Sequence, residues 1–449
     1  MAVLALTLAR MESSHGQQPS RNLIMILCDD LGFGDVGING APDIETPNMD
    51  SLAQSGLTLS RMRSNCTVCS PTRAAILTGL YADRAGVPGV IRTTPSNSWG
   101  YLRTDVPTIA NRLGDVGYHT AIVGKWHLGL AAPNRPTDRG FHHFHGFLGD
   151  MMDDYYDHRR QGEHYMRLGT QKVHPKGHAT EIFTRWAMDY LNDRSQKPET
   201  PFYLYLAYNA PHFPIQPPPE WLSATTKKHP NAPEKRQANI AFVEHLDHEI
   251  GKVLTTLDEL GLTENTAIVL TSDNGGSLPH AQRNLPFRDG KQSHYDGGLR
   301  VPCYVRIPGI TKPGTVNDIA AMTFDLSGTF LDLAGAEVSP DLDCISLLPM
   351  IRDGQPLPER DHYFVRREGN ARYVGQAYHA LIRDGWKLMQ NDPFSAVELF
   401  NLNEDPTEQV DLAAKQPQRV TALKRAMASQ IQAAGHVPWQ AGDTAPTAP

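Results

Sequence analysis

Cysteine is scarce in this chain. Among 449 residues only Cys28, Cys66, Cys69, Cys303 and Cys344 occur, too few and too scattered for a disulfide scaffold. Cys66 and Cys69 form a C-x-x-C, but no second cysteine pair completes a structural zinc site. Positive charge is not in excess either. A formal net charge of −7 excludes the basic footprint of a nucleic-acid-binding protein and offers a polyanion no long-range attraction. No run of residues is long and apolar enough to span a membrane. The apolar residues 1–9, followed by Arg10 and a polar run to Gln18, read as the remnant of a signal peptide without a basic leader or clean cleavage site. A periplasmic or secreted location is therefore expected. There is no internal repeat.

What is present is alternation. Residues 23–27, 120–123, 202–208 and 267–270 are apolar runs of the kind that form buried parallel strands. Between them, residues 106–113, 179–191 and 238–260 carry helical patterns. The alternation predicts an α/β fold over residues 21–335, a large, mostly parallel sheet sandwiched by helices. Past residue 335 the pattern fades into strand-like pieces at 363–365 and 379–382 and a helical stretch at 418–433. These predict a smaller C-terminal α+β domain over 336–434. Residues 1–20 read as an N-terminal extension, and 435–449, rich in Pro, Ala, Gly and Thr, are expected not to pack.

In open α/β sheets, ligands bind beyond the carboxyl ends of the strands. Here each apolar run leads into a polar cluster: Asp29-Asp30-Leu31-Gly32, Gly124-Lys125-Trp126-His127, Asn209-Ala210-Pro211-His212 and Asp273-Asn274-Gly275-Gly276. A fifth cluster is Cys69-Ser70-Pro71-Thr72-Arg73, where Pro71 suits a first helical position and Gly79 a stop, giving a helix over 71–78. Such a start sets Cys69 against unpaired N–H groups and a positive dipole end, favouring anions and a reactive sulfur. A structural cysteine before a capped helix is the competing reading. Asp29, Asp30, Asp273 and Asn274 offer hard oxygens that suit Ca2+ or Mg2+, with plain turn sequences as the alternative. Lys125 and Lys291 are candidate contacts to phosphate or sulfate oxygens. His127 and His212 are candidate proton carriers.

These clusters resemble, in order, the motifs of the formylglycine-dependent sulfatases of the alkaline-phosphatase-like superfamily. The C-x-P-S/T-R segment is Cys69 to Arg73, and Gly117-Tyr118-His119-Thr120 through Gly124-Lys125-Trp126-His127-Leu128-Gly129 resembles the second signature. The resemblance covers residues 22–302 and continues through 325–335, 384–388 and 398–406. It implies that Cys69 becomes formylglycine through a formylglycine-generating maturation enzyme that reads Pro71 and Arg73. It further implies Ca2+ (Mg2+ as the alternative) held by Asp29, Asp30, Asp273, Asn274 and the modified Cys69. Arg73 and Lys125 would steady the formylglycine hydrate, Lys291 and His212 would grip the sulfate, and His127 would assist its release. The implied partner is a sulfated carbohydrate, with Arg92, His158, Arg159, Arg160, His294 and Arg300 as candidates to select the sugar. Thr72 replaces the more usual serine, Cys344 stands where many relatives carry glycine, and Cys66 offers a competing disulfide partner to Cys69. Two other readings remain: a phosphate mono- or diester hydrolase using the same pocket, and a non-catalytic sulfated-glycan-binding relative.

Overall fold

The computed structural model describes residues 21–94, 97–368, 377–390 and 394–440. The extension 1–20 and residues 441–449 of the expected tail lie outside the described residues. The first strands in chain order are β1 (Asn22–Cys28), β2 (Leu57–Arg63), β3 (His119–Lys125) and β4 (His143–Phe147). A short hairpin, β5 (Arg159–Arg160) and β6 (Glu163–His164), is followed by β7 (Met166–Leu168) and β8 (Gln171–Lys172). Then come β9 (Phe202–Ala207), β10 (Thr266–Ser272), β11 (Cys303–Arg306) and β12 (Thr315–Met322). The last four are β13 (His362–Arg367), β14 (Ala377–Arg383), β15 (Trp386–Gln390) and β16 (Glu398–Asn401). The helices begin with α1 (Pro47–Gln54), α2 (Cys69–Thr78), α3 (Ile109–Asp115), α4 (Ala179–Ser195) and α5 (Pro219–Lys228). They continue with α6 (Glu234–Glu259), α7 (Asp296–Leu299), α8 (Phe324–Leu333), α9 (Leu348–Asp353) and α10 (Pro417–Ala434).

Ten strands form one mixed sheet in the order β12-β2-β11-β10-β1-β9-β3-β4-β7-β8. The four apolar runs seen in the sequence are its neighbouring strands β10, β1, β9 and β3, all mutually parallel. Their unbroken apolar character has a direct cause. Leu23, Met25 and Leu27 of β1 point into one core and Ile24 and Ile26 into the other, so neither face can be polar. Polar strand ends therefore emerge together at one edge of the sheet. The flanking strands β11, β7 and β8 run antiparallel to their neighbours, so the sheet is mixed at its margins.

The smaller domain is an antiparallel sheet, β13-β14-β15-β16, packed on α10 through Leu423 and Met427. Its core also takes in Ala75 and Tyr81, from α2 and the turn after it, so the two domains share apolar surface. Residues 336–357, expected in the smaller domain, divide between the two: Cys344 joins the core of the small sheet, and Leu347 and Met350 that of the large one. Residues 435–440, expected not to pack, do so: Val437 is buried and Trp439 stacks on Trp99 with ring centroids 5.2 Å apart. No helix among the described residues is long and apolar enough to cross a membrane.

Candidate active site

The site forms where β1, β3, β9 and β10 end, closed by the start of α2. That helix begins at Cys69, two residues before the expected Pro71. Proline is tolerated within a first helical turn because N–H groups there have no intrahelical acceptor. Cys69 is the first helical residue, and every residue of α2 is buried. Its Sγ lies 3.1 Å from Asp29 Oδ1, 3.9 Å from Asp30 Oδ1 and 3.7 Å from Lys291 Nζ. Ligand atoms of Asp29, Asp30, Cys69 and His212 all lie within 4.8 Å of one another.

Three buried cations balance the carboxylates. Lys125 Nζ donates to Asp29, and Lys291 Nζ sits 2.7 Å from Asp30 Oδ2. Arg73 grips Asp273 Oδ2 through Nε at 2.9 Å and Nη2 at 2.7 Å, and its Nη1 donates to the Lys125 carbonyl at 3.2 Å. The backbone turns sharply at Asp30, whose φ is +65°, and its N–H donates to Asp273 Oδ1 at 3.2 Å. Leu31 N–H donates to Ser272 Oγ at 2.9 Å, tying the β1 loop to β10. Asn274 Nδ2 donates to Asp30 Oδ1 at 2.8 Å, while its Oδ1 is buried without a hydrogen-bond partner.

The charges set the protonation states. Burial alone would raise the carboxyl of Asp29, but Lys125, His212, Arg73 and Lys291 together hold it well below the usual carboxylate range. Asp273 goes the other way: burial and the neighbouring Asp29 push it up to about 7. Burial, with Lys125 and Arg73 nearby, keeps His127 neutral; its Nε2 donates to the Ile91 carbonyl at 2.8 Å and its Nδ1 has no partner. His212 is lowered to about 4 by burial and Lys291, and its Nε2 lies 3.7 Å from Asp30. Burial and the Asp273 and Asp29 carboxylates push the Cys69 thiol up, against the opposing pull of Lys291 and Lys125.

A family model described as Sulfatase matches residues 21–336, and one described as N-sulphoglucosamine sulphohydrolase, C-terminal, matches residues 288–435. The chain belongs to the sulfatase family. It is 31% identical over 386 residues to the N-acetylgalactosamine-6-sulfatase of Canis lupus familiaris, covering 81% of this chain and 72% of that protein. Arylsulfatase A of Bos taurus is 30% identical, with 92% of this chain and 87% of that protein covered. A solved structure described as Ps i-CgsB in complex with k-i-k-neocarrahexaose superposes with a TM-score of 0.85 at 30% identity, covering 95% of this chain and 96% of the other. The protein is a sulfuric ester hydrolase.

Above the charged floor of this sulfatase opens a cavity of about 340 Å³. Cys69, Asp30, His127, His212 and Lys291 line it, as do two of the positions expected to select a substrate, Arg92 and Arg160. The other four do not line it, three of them because they are buried. Arg300 is buried against Asp296 at 2.7 Å, where it braces the polypeptide after Lys291. His294 is fully buried and stacks on Tyr378. His158 is buried with Nε2 donating to the Gly177 carbonyl at 2.9 Å. Each is held inside by packing or pairing, so none of the three presents a group to the cavity. Arg159 is exposed on the β5–β6 hairpin and pairs with Asp157 at 3.0 Å.

Sequence reasoning missed Asp150, Phe213, His280, Gln292, Arg366 and Glu368, which also line the cavity. Asp150 follows β4, so the same strand-end rule that found the other clusters reaches it. Arg366 and Glu368 come from the smaller domain: Glu368 bridges Arg92 at 2.5 Å and Arg366 at 3.0 Å. No local pattern signals that pairing.

Proposed function

We propose that this sulfatase hydrolyses sulfate esters of a carbohydrate, with formylglycine made from Cys69 at the helix start and a calcium ion held beside it. The observation that carries the reading is the position of Cys69: a buried helix N-terminus, 3.1 Å from Asp29 and 3.7 Å from Lys291. A maturation enzyme that oxidised the thiol to an aldehyde would let water add to that carbonyl, and the resulting hydrate would supply a hydroxyl nucleophile at this position. Carbohydrate substrates are favoured by the N-acetylgalactosamine-6-sulfatase relatives and by the neocarrahexaose complex.

The donor chemistry fits a hard divalent cation. Asp29, Asp30 and Asp273 supply carboxylate oxygens, and the partnerless buried Oδ1 of Asn274 supplies an amide oxygen. These residues and the modified Cys69 would hold the ion, which would supply positive charge against the charge growing on the sulfate oxygens. Arg73 and Lys125 fix the carboxylates and the nucleophilic side chain relative to one another. Lys291 and His212 face the same point and would hold the sulfate oxygens and the departing alcohol oxygen. His127, neutral and with a free Nδ1, is suited to take a proton as sulfate leaves.

The test is mass spectrometry of the tryptic peptide Ser64–Arg73 from protein made with a formylglycine-generating enzyme, alongside turnover of matched sulfate and phosphate esters. Aldehyde at Cys69 and release of inorganic sulfate are expected. An intact thiol, or preference for the phosphate ester, would refute the reading.

A further inference from the structure

The loops after β9 and β10 meet across the end of β1 and bring two rings together on the wall of the cavity. Phe213 and His280 stack with centroids 4.6 Å apart and planes 17° from parallel, and both line the cavity. Phe213 remains 44% exposed, an unusual cost for a large apolar ring in so charged a setting. The loops are pinned to each other by buried Gln282, whose Nε2 donates to the Pro211 carbonyl at 2.9 Å and whose Oε1 accepts from Ser277 N–H at 2.5 Å. The ring face is therefore preorganised, and no ordering cost falls on a ligand that covers it.

Exposure rises from the floor outward: 3% at Cys69, 13% for the His212 side chain, 44% at Phe213. A sulfate at Cys69 and Lys291 sets its own sugar ring near His212. Phe213, the more exposed neighbour of His212, stands on the outward side, which is the ground for assigning its face to the following ring. Sugars present an apolar C–H face edged by hydroxyls, and this cavity offers both complements. Besides the aromatic face it carries Arg160 paired with Asp150 at 2.9 Å and Arg92 paired with Glu368. These paired groups, with Glu368 shared between Arg92 and Arg366, give donors and acceptors for hydroxyls.

We propose that the Phe213–His280 pair is a stacking platform for the sugar ring adjacent to the sulfated one, so that the enzyme acts on sulfated di- and oligosaccharides in preference to monosaccharides. The proposal rests on the carbohydrate reading above. Its test compares kcat/KM for N-acetylgalactosamine 6-sulfate, galactose 4-sulfate and galactose 6-sulfate with disaccharides from chondroitin sulfate and carrageenan that carry the same sulfates. The matured wild type should favour the disaccharide of whichever sulfate it cleaves. Phe213→Leu and Phe213→Ala should each shrink the disaccharide-to-monosaccharide ratio roughly tenfold, chiefly through KM, while Phe213→Trp preserves it. Because the ring is exposed, the melting temperatures of these variants should match that of wild type. A wild-type ratio near one, or equal losses on both substrates in the variants, would overturn the platform and leave the sulfatase reading intact. Hydrolysis of phosphate esters with none of these sulfates cleaved would remove that reading and the platform with it.

Discussion

Asp29 is a buried carboxylate kept ionised by its neighbours, and its closest partner is the ammonium of Lys125. Removing one member of a buried ion pair leaves the other uncompensated, which typically costs about 3–5 kcal/mol. Lys125→Ala should therefore lower the stability of chelator-treated protein by that order. If Asp29 helps hold a cation, added calcium should raise the melting temperature of the variant more than that of wild type. An identical calcium response in the two proteins, read by thermal denaturation, would separate Asp29 from any cation site. Asp83 lies away from this cluster and titrates in the opposite sense. Burial, against the weaker pull of Arg367, raises it to about 6, and Tyr363 Oη donates to it at 3.1 Å. The fold thus favours the protonated form. That contribution is fully present below pH 4, where the unfolded chain is also protonated, and is lost as pH rises through 6. Asp83→Asn should match wild type at pH 4 and exceed it by about 2–3 kcal/mol at pH 8, measured by denaturant titration at both values.

Among the elements, α2 does most to define the site, since its first residue is Cys69 and Arg73 follows one turn further on. The helix is stopped by Gly79, which adopts φ +72° and accepts from the N–H groups of Asp343 and Cys344, both at 2.9 Å. A Cβ at Gly79 would lie 2.8 Å from Cys344 Sγ. Left-handed backbone and overpacking together predict that Gly79→Ala destabilises by about 2 kcal/mol, visible as a lower melting temperature with Cys69 maturation as a second readout. The elements also explain what could be read from the sequence. The strands β10, β1, β9 and β3 are buried on both faces and so declare themselves as continuous apolar runs, and the clusters at their ends follow. By contrast, β2 is buried at only some of its positions and β12 only at Ala321 and Met322, and their pairing with each other joins distant segments. His127 and Asp30 adopt φ of +62° and +65°, a conformation no residue type alone announces. Of the unforeseen cavity residues, Asp150 was within reach of the strand-end rule, whereas Arg366 and Glu368 owe their place to the second sheet.

At the scale of the molecule, the two sheets are joined by a buried charge network. Lys387 of β15 contacts Asp296 at 3.1 Å and Glu408 at 2.7 Å, and Arg63 of β2 holds Asp296 at 2.7 Å. Asp296 begins α7, five residues after Lys291, so the network anchors the segment that delivers this lysine. Lys387→Ala strands Glu408 without its cation and should cost about 3–5 kcal/mol, with calorimetry resolving an early transition of the small sheet. A single cooperative transition at the wild-type temperature would mean that the network adds nothing to the junction. The resemblance continues into β15 and β16, but every site residue it implied lies in the first 300 residues. Yet Arg366 and Glu368 reach the cavity from β13 and the residue that follows it. Recognition thus draws on both domains, while the reaction floor belongs to the larger one alone. Exchange of residues 358–440 between relatives would retune only the rim that Arg366 and Glu368 supply, a partial change of taste that leaves the chemistry undisturbed.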